Sequence, residues 1–160
     1  MKEGGCEVVS AVFSGNSSHT MDAKGRVTIP ASYREALGDS FTIGLNNELS
    51  AIALYPEQQW QEIESELSKI PLTDVPGRRY ARMISANSFR DYQLDAQGRV
   101  LLPPPLRTKV ALEKNVRFVG VGHCLEIWDE QRYMTESEEA ERLSMELLNY
   151  VNERYYTPKP

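Results

Sequence analysis

DAKGRVTIP at residues 22–30 and DAQGRVLLP at residues 95–103 are nearly the same nine letters, identical at six positions. Each is followed four residues later by an arginine, Arg34 and Arg107. A shift of 73 residues lays Asp22, Ala23, Gly25, Arg26, Val27, Pro30 and Arg34 on Asp95, Ala96, Gly98, Arg99, Val100, Pro103 and Arg107. The same shift lays LYPEQQW (54–60) on IWDEQRY (127–133), with Glu57 and Gln58 on Glu130 and Gln131. Tyr55 falls on Trp128 and Trp60 on Tyr133. One offset that serves both ends leaves no net insertion between them, so the chain holds a duplicated unit of about 70 residues.

Each copy reads the same way locally. A short strand leads into Asp-Ala-Lys/Gln-Gly, a tight turn in which Asp bonds nearby backbone and Gly accepts positive φ. Arg26-Val-Thr-Ile and Arg99-Val-Leu-Leu leave the turn as strands. Pro30 and Pro103 open the first turn of a short helix, ASYREALG (31–38) with Gly38 as its stop, and PPLRTKVAL (104–112) in the second copy. Strand pairs follow at 41–46 with 49–55 and at 116–121 with 124–128, joined through Asn46-Asn47 and Gly122-His123. A longer helix closes each copy: 57–70, with Trp60, Ile63, Leu67 and Ile70 on one face, and 130–155, with Tyr133, Leu143, Leu147, Leu148 and Val151. PLTDVPG (71–77) is a linker, and RRYARMISA (78–86) a further helix.

Net charge over 160 residues is −5, but the charge is not evenly spread. Residues 1–75 carry net −6, residues 76–109 net +5 and residues 110–160 net −4. The net charge argues mildly against a nucleic-acid partner, but a basic middle between acidic flanks can still present a positive surface, because clustering matters more than the total. No apolar run is long enough to span a membrane, and MKEGGCEVVSA (1–11) lacks the apolar core of a secretory signal. Cys6 and Cys124 fit no metal spacing and read as free thiols. His19 and His123 fall at different repeat positions and read as packed or surface residues rather than ligands. Trp60 and Trp128 read as core, and ESEEAE (136–141) as a solvated helix face.

The pattern strand, DxxGR, strand, Pro, short helix with arginine resembles the swapped-hairpin SpoVT-AbrB barrel. Its tandem duplication resembles the MraZ family of bacterial transcriptional regulators. DAQGRVLLPPPLR with VRFVGVGHCLEIWD strengthens the resemblance, as does Phe13-x-Gly15 followed by His19-x-x-Asp22. The resemblance covers residues 13 to 150. It implies an α+β fold in which two tandem swapped-hairpin AbrB-like units form a pseudo-twofold β-barrel with flanking helices. It also implies a ring-shaped homo-oligomer that binds short direct repeats of double-stranded promoter DNA. Through these it would repress the division and cell-wall operon containing its own gene, in the cytoplasm at the nucleoid.

The expected organisation is an N-terminal extension at 1–12, units at 13–70 and 88–155, a linker with helix at 71–87 and a tail at 156–160. Residues 1–11 have no counterpart before the second copy, and are expected to be a disordered extension or to precede a true start at Val12.

The candidate DNA contacts are Lys24, Arg26, Arg34, Gln97, Arg99 and Arg107, with Asp22, Gly25, Asp95 and Gly98 shaping the turns. Arg26 and Arg99 pin their turns by pairing with the aspartate four residues back or meet phosphate and base edges through a bidentate fork, and both hold if the aspartate orients the arginine. Lys24 and Gln97 are contacts or solvated tips. Gln97 in place of a second lysine puts equal contacts from the two halves in doubt. Arg34 and Arg107 are open between an intersubunit salt bridge and a phosphate contact. Arg78, Arg79 and Arg82 fit a solvated face or a ring interface better than DNA.

Two other functions compete. Asp22 and Asp95 would be the carboxylate pair of an enzyme, but an arginine beside each suits a structural carboxylate better than a proton donor. There is no glycine-rich phosphate loop, nucleophile elbow or metal cluster, so the expectation is no catalysis, no cofactor and no small-molecule substrate. An oligomeric protein-interaction scaffold has no need of an arginine after both turns.

Overall fold

The computed structural model describes residues 12–160, so the segment 1–11 named above lies outside the described residues. The chain divides into two compact units, one ending at Asp129 and one spanning Glu130–Pro160.

Among the described residues the first unit carries all the strands: β1 (Asn16–Thr20), β2 (Arg26–Thr28), β3 (Phe41–Leu45), β4 (Ile52–Pro56), β5 (Phe89–Tyr92), β6 (Arg99–Leu101), β7 (Asn115–Gly120) and β8 (Leu125–Asp129). Its helices are α1 (Ala31–Leu37), α2 (Glu57–Ser68), α3 (Val75–Ala86) and α4 (Pro104–Lys109). Six strands form one antiparallel sheet in the order β1-β7-β8-β4-β3-β5, and β2 pairs with β6 in a separate ribbon. Exchanging each strand for its repeat counterpart reverses that order and leaves it unchanged. The copies therefore interlock: each edge strand comes from one half and pairs with an inner strand of the other, and β4–β8 joins the halves at the centre.

The structure is thus α+β and antiparallel, but the expected barrel is not closed by hydrogen bonds among the described residues. The reason lies at the two DxxGR turns. There the chain leaves the six-stranded sheet, and among the described residues the strands that follow pair only with each other, so β1 and β5 remain edges.

Alternation along the strands sorts side chains onto two faces. Ile52 and Leu54 of β4 join a large core with Ile43, Phe118, Leu125 and Ile127, covered by Val27, Ile29, Val100 and Leu102 of the ribbon and by Leu37 and Leu106 of the short helices. Ala53 and Tyr55 point the other way and pack with Trp60 and Cys124 beneath Ile63 of α2 and Ile84 of α3. Burial pushes the Cys124 thiol up to about 12, which suits an inert packed cysteine. His19 sits edge-on to Phe118 at 4.9 Å.

Several elements differ from the sequence reading. Pro30 and Pro103 stand one residue before their helices, with φ −53° and −57° in extended backbone. The helix after the linker begins at Val75 because the Asp74 carboxylate accepts from the Gly77 amide and caps it. The β3–β4 connection is not a two-residue turn. It wraps around the Asn46 side chain, whose Oδ1 accepts from the Ser50 amide at 2.8 Å and whose Nδ2 donates to buried Glu126 at 3.0 Å.

The second unit is all helical. The helix expected over 130–155 breaks into α5 (Glu130–Arg142), α6 (Ser144–Val151) and a π-helical segment, Asn152–Tyr156. The break falls at Leu143, with φ −94° and ψ 7°. The glutamates of ESEEAE are exposed on α5, and Met145, Leu147, Leu148 and Tyr150 are exposed on α6.

Candidate nucleic-acid interface

Both DxxGR turns close on the same set of bonds. In the first, Asp22 Oδ1 accepts from the amides of Lys24 and Arg26, each at 2.9 Å, and Oδ2 accepts from Arg26 Nε at 2.7 Å. In the second, Asp95 Oδ1 accepts from the amides of Gln97 at 2.9 Å and Arg99 at 2.8 Å, and Oδ2 from Arg99 Nε at 2.9 Å. The Gly25 amide donates to the Asp22 carbonyl at 3.0 Å, and the Gly98 amide to the Asp95 carbonyl at 2.9 Å. Gly25 and Gly98 take φ of +88° and +76°, a conformation that side chains other than glycine's rarely adopt.

These bonds hold both carboxylates below the usual aspartate range. The leading cause is the backbone amide of Arg26 or Arg99, followed in the same direction by the arginine side chain. The aspartates are therefore ionised structural acceptors, poorly suited to donating protons. The pairing of each arginine with its aspartate, one of the two roles expected, is present in both copies. It uses only Nε of each guanidinium. Among the described residues the outer nitrogens of Arg26 have no protein partner, and Arg99 Nη2 donates to Gln97 Oε1 at 3.4 Å. Lys24 and Gln97 are exposed at the turn tips.

The ribbon joins the two turns. Arg26 lies opposite Leu101, Val27 opposite Val100 and Thr28 opposite Arg99. Two further bonds tie each strand to the other half's turn: the Ile29 amide donates to the Gly98 carbonyl at 2.9 Å and the Leu102 amide to the Gly25 carbonyl at 3.0 Å. Val27 and Val100 enter the core, and directly opposed residues share a face, so Arg26, Thr28, Arg99 and Leu101 form the solvent side of the ribbon. The two arginines stand diagonally, each beside its own turn.

Arg34 and Arg107 sit elsewhere, and their placement was not legible in the sequence. Arg34 Nε donates to the Ile29 carbonyl at 2.8 Å, and its guanidinium packs on Gly98 of the other half. Arg107 Nε donates to the Leu102 carbonyl at 3.1 Å, and its guanidinium packs on Gly25. A methyl group on either glycine would overlap the guanidinium. Each turn is thus held from within by its aspartate and from behind by the other half's arginine. Of the residues singled out, Arg26 and Arg99 share the solvent side of the ribbon, Lys24 and Gln97 are exposed at the turn tips, and Arg34 and Arg107 back the turns from the short helices. Leu101 was not singled out; its one signal is that it stands where the first copy has Thr28.

Among the described residues no helix is long and apolar enough to cross a membrane.

Comparison with known proteins places these turns in a family. The model of the family described as "MraZ protein, putative antitoxin-like" matches residues 12–83 and again 88–148. The "Transcriptional regulator MraZ" of Ligilactobacillus salivarius is 39% identical over 132 residues, 81% of this chain and 90% of that protein. The protein of the same name from Carboxydothermus hydrogenoformans is 43% identical over 122 residues, covering 75% of this chain and 82% of its own length. That of Pseudoalteromonas translucida is 42% identical over 141 residues, covering 82% and 91%. With both repeats matched and relatives this similar along most of their length, the chain belongs to the MraZ family.

Proposed function

We propose that this protein is a sequence-specific DNA-binding transcriptional regulator that represses the operon containing its own gene, a division and cell-wall operon. The observation that carries the reading is the solvent side of the ribbon, where Arg26 and Arg99 stand diagonally and each gives only Nε to its aspartate. A two-stranded ribbon fits the B-DNA major groove, and a guanidinium fork matches guanine edges and phosphates. The printed names of the relatives support the regulatory role.

In this reading Lys24, Arg26, Gln97 and Arg99 meet DNA, Arg34 and Arg107 chiefly keep the turns in place, and Asp22 and Asp95 orient the arginines. The exchange of edge strands between halves supports the swapped-hairpin assignment. One ribbon makes few contacts. A ring of subunits, each on one direct repeat, would raise affinity by multivalency. The protein would act in the cytoplasm at the nucleoid, on double-stranded promoter DNA and without a cofactor.

Selection from a random duplex library tests this. The expected result is enrichment of a short motif in tandem copies, bound with an affinity that falls steeply as salt rises. A library that stays random would overturn the reading and favour the interaction scaffold.

A further inference from the structure

The two halves share one turn geometry but not one surface. On the ribbon's solvent side, Leu101 stands where the first half has Thr28, and it is 47% exposed. Its neighbours on that face are polar: Arg26 directly opposite, with Thr28 and Arg99 beyond. The strand does not need an apolar residue there, because Val100 and Leu102 on either side already fill the core at 3% and 0% exposure. An exposed leucine set between two arginine-bearing turns suits a surface that mixes anionic and apolar groups. The major groove is such a surface: its edges carry hydrogen-bonding atoms, its walls carry phosphates, and the thymine C5-methyl is its apolar group.

We propose that Leu101 packs against a thymine methyl beside the base step met by Arg26, so that the halves of one subunit read different base pairs. The inference rests on the DNA-binding reading above and deepens it. A reader with true twofold symmetry would favour a palindrome. Leu101 against Thr28, together with Gln97 against Lys24, breaks that symmetry and gives each bound repeat a direction. Thr28, with a hydroxyl that donates or accepts, accommodates more than one base at its own position.

The test uses a duplex that the full chain itself selects from a random library. Each thymidine is replaced in turn by deoxyuridine, which removes the methyl and leaves the pairing edge intact. At one thymidine per repeat, the replacement weakens wild-type binding about fourfold, the loss expected for one methyl returned to water. Leu101→Ser, which has no methyl to offer, binds the thymidine and deoxyuridine duplexes alike, and Thr28→Leu gains sensitivity at a second thymidine. Unfolding curves of both variants that match the wild type confirm that the fold is unchanged, as expected for exposed positions. Wild-type binding indifferent to every replacement, or Leu101→Ser with undiminished sensitivity, overturns the inference while leaving the DNA-binding reading standing. If no duplex is selected at all, both fall together.

Discussion

The first and second DxxGR turns are built alike and equipped differently. Their aspartates make matching bonds, their glycines take matching positive φ, and each receives an arginine from the opposite half. Yet the exposed tips differ, Lys24 against Gln97, and so do the ribbon positions, Thr28 against Leu101. The edge strands differ as well. β1 pairs with β7 in regular register from Asn16↔Val119 to Thr20↔Asn115, whereas β5 pairs with β3 only at Phe41↔Tyr92 and Ile43↔Phe89, with a shift between them and Asp91 at φ +60°. The two copies thus share the bonds that close the turns and differ at the tips, at one ribbon position and along the edge strands.

The comparison is broken most directly at the glycines. Gly25→Ala and Gly98→Ala should each destabilise the protein by about 2–3 kcal/mol, combining left-handed strain with displacement of the guanidinium behind the turn. Urea unfolding would show equal losses if the turns are structurally equivalent; one tolerated and one not would deny the equivalence. Next come the supporting arginines. Arg34→Ala and Arg107→Ala should each cost about 1–2 kcal/mol through a lost charge-assisted hydrogen bond and packing. The sharper observable is location. Removing Arg34 should speed amide exchange in the second turn, 95–99, and removing Arg107 in the first, 22–26, so loosening of the variant's own half would contradict the cross-half contact.

Much of this was legible in the sequence because it is local. Asp, Gly and Arg at fixed spacing fold their own turn, and the 73-residue offset announces that the turn occurs twice. What was not legible depends on distant partners. Nothing near Arg34 says that it will lie on Gly98. The β3–β4 loop looks like a two-residue turn until Asn46 finds Glu126, 80 residues away. The break at Leu143 has no Gly or Pro to signal it, and the six-strand order follows from exchange between halves, which a repeat permits but does not dictate.

Two smaller effects sharpen the contrast further. The Asp22 and Asp95 carboxyls titrate below the ordinary aspartate range when folded, so their contribution to stability is complete above that range. It is lost as pH falls through the ordinary value to the lowered folded one. Asp22→Asn and Asp95→Asn should each flatten the acid limb of a stability-versus-pH curve, and to a similar extent; an unchanged limb would count against the paired geometry. The smallest effect concerns the tips. Lys24→Gln should reduce the slope of log affinity against log salt by about 1, and Gln97→Lys should raise it by about 1, one phosphate contact in each case. Titrations on one duplex at several salt concentrations would measure both.

The central claim is that the ribbon face formed by the two halves is the DNA-reading surface. Fluorescence anisotropy with a selected duplex tests it for the wild type, Arg26→Ala, Arg99→Ala and the double variant, with the assembly state followed by light scattering. The predicted result is a loss of tenfold or more for each single variant, about 1.4 kcal/mol or greater, and no measurable specific binding for the double variant, all with unchanged assembly. Undiminished binding by the double variant, with its assembly state unchanged, would contradict the claim.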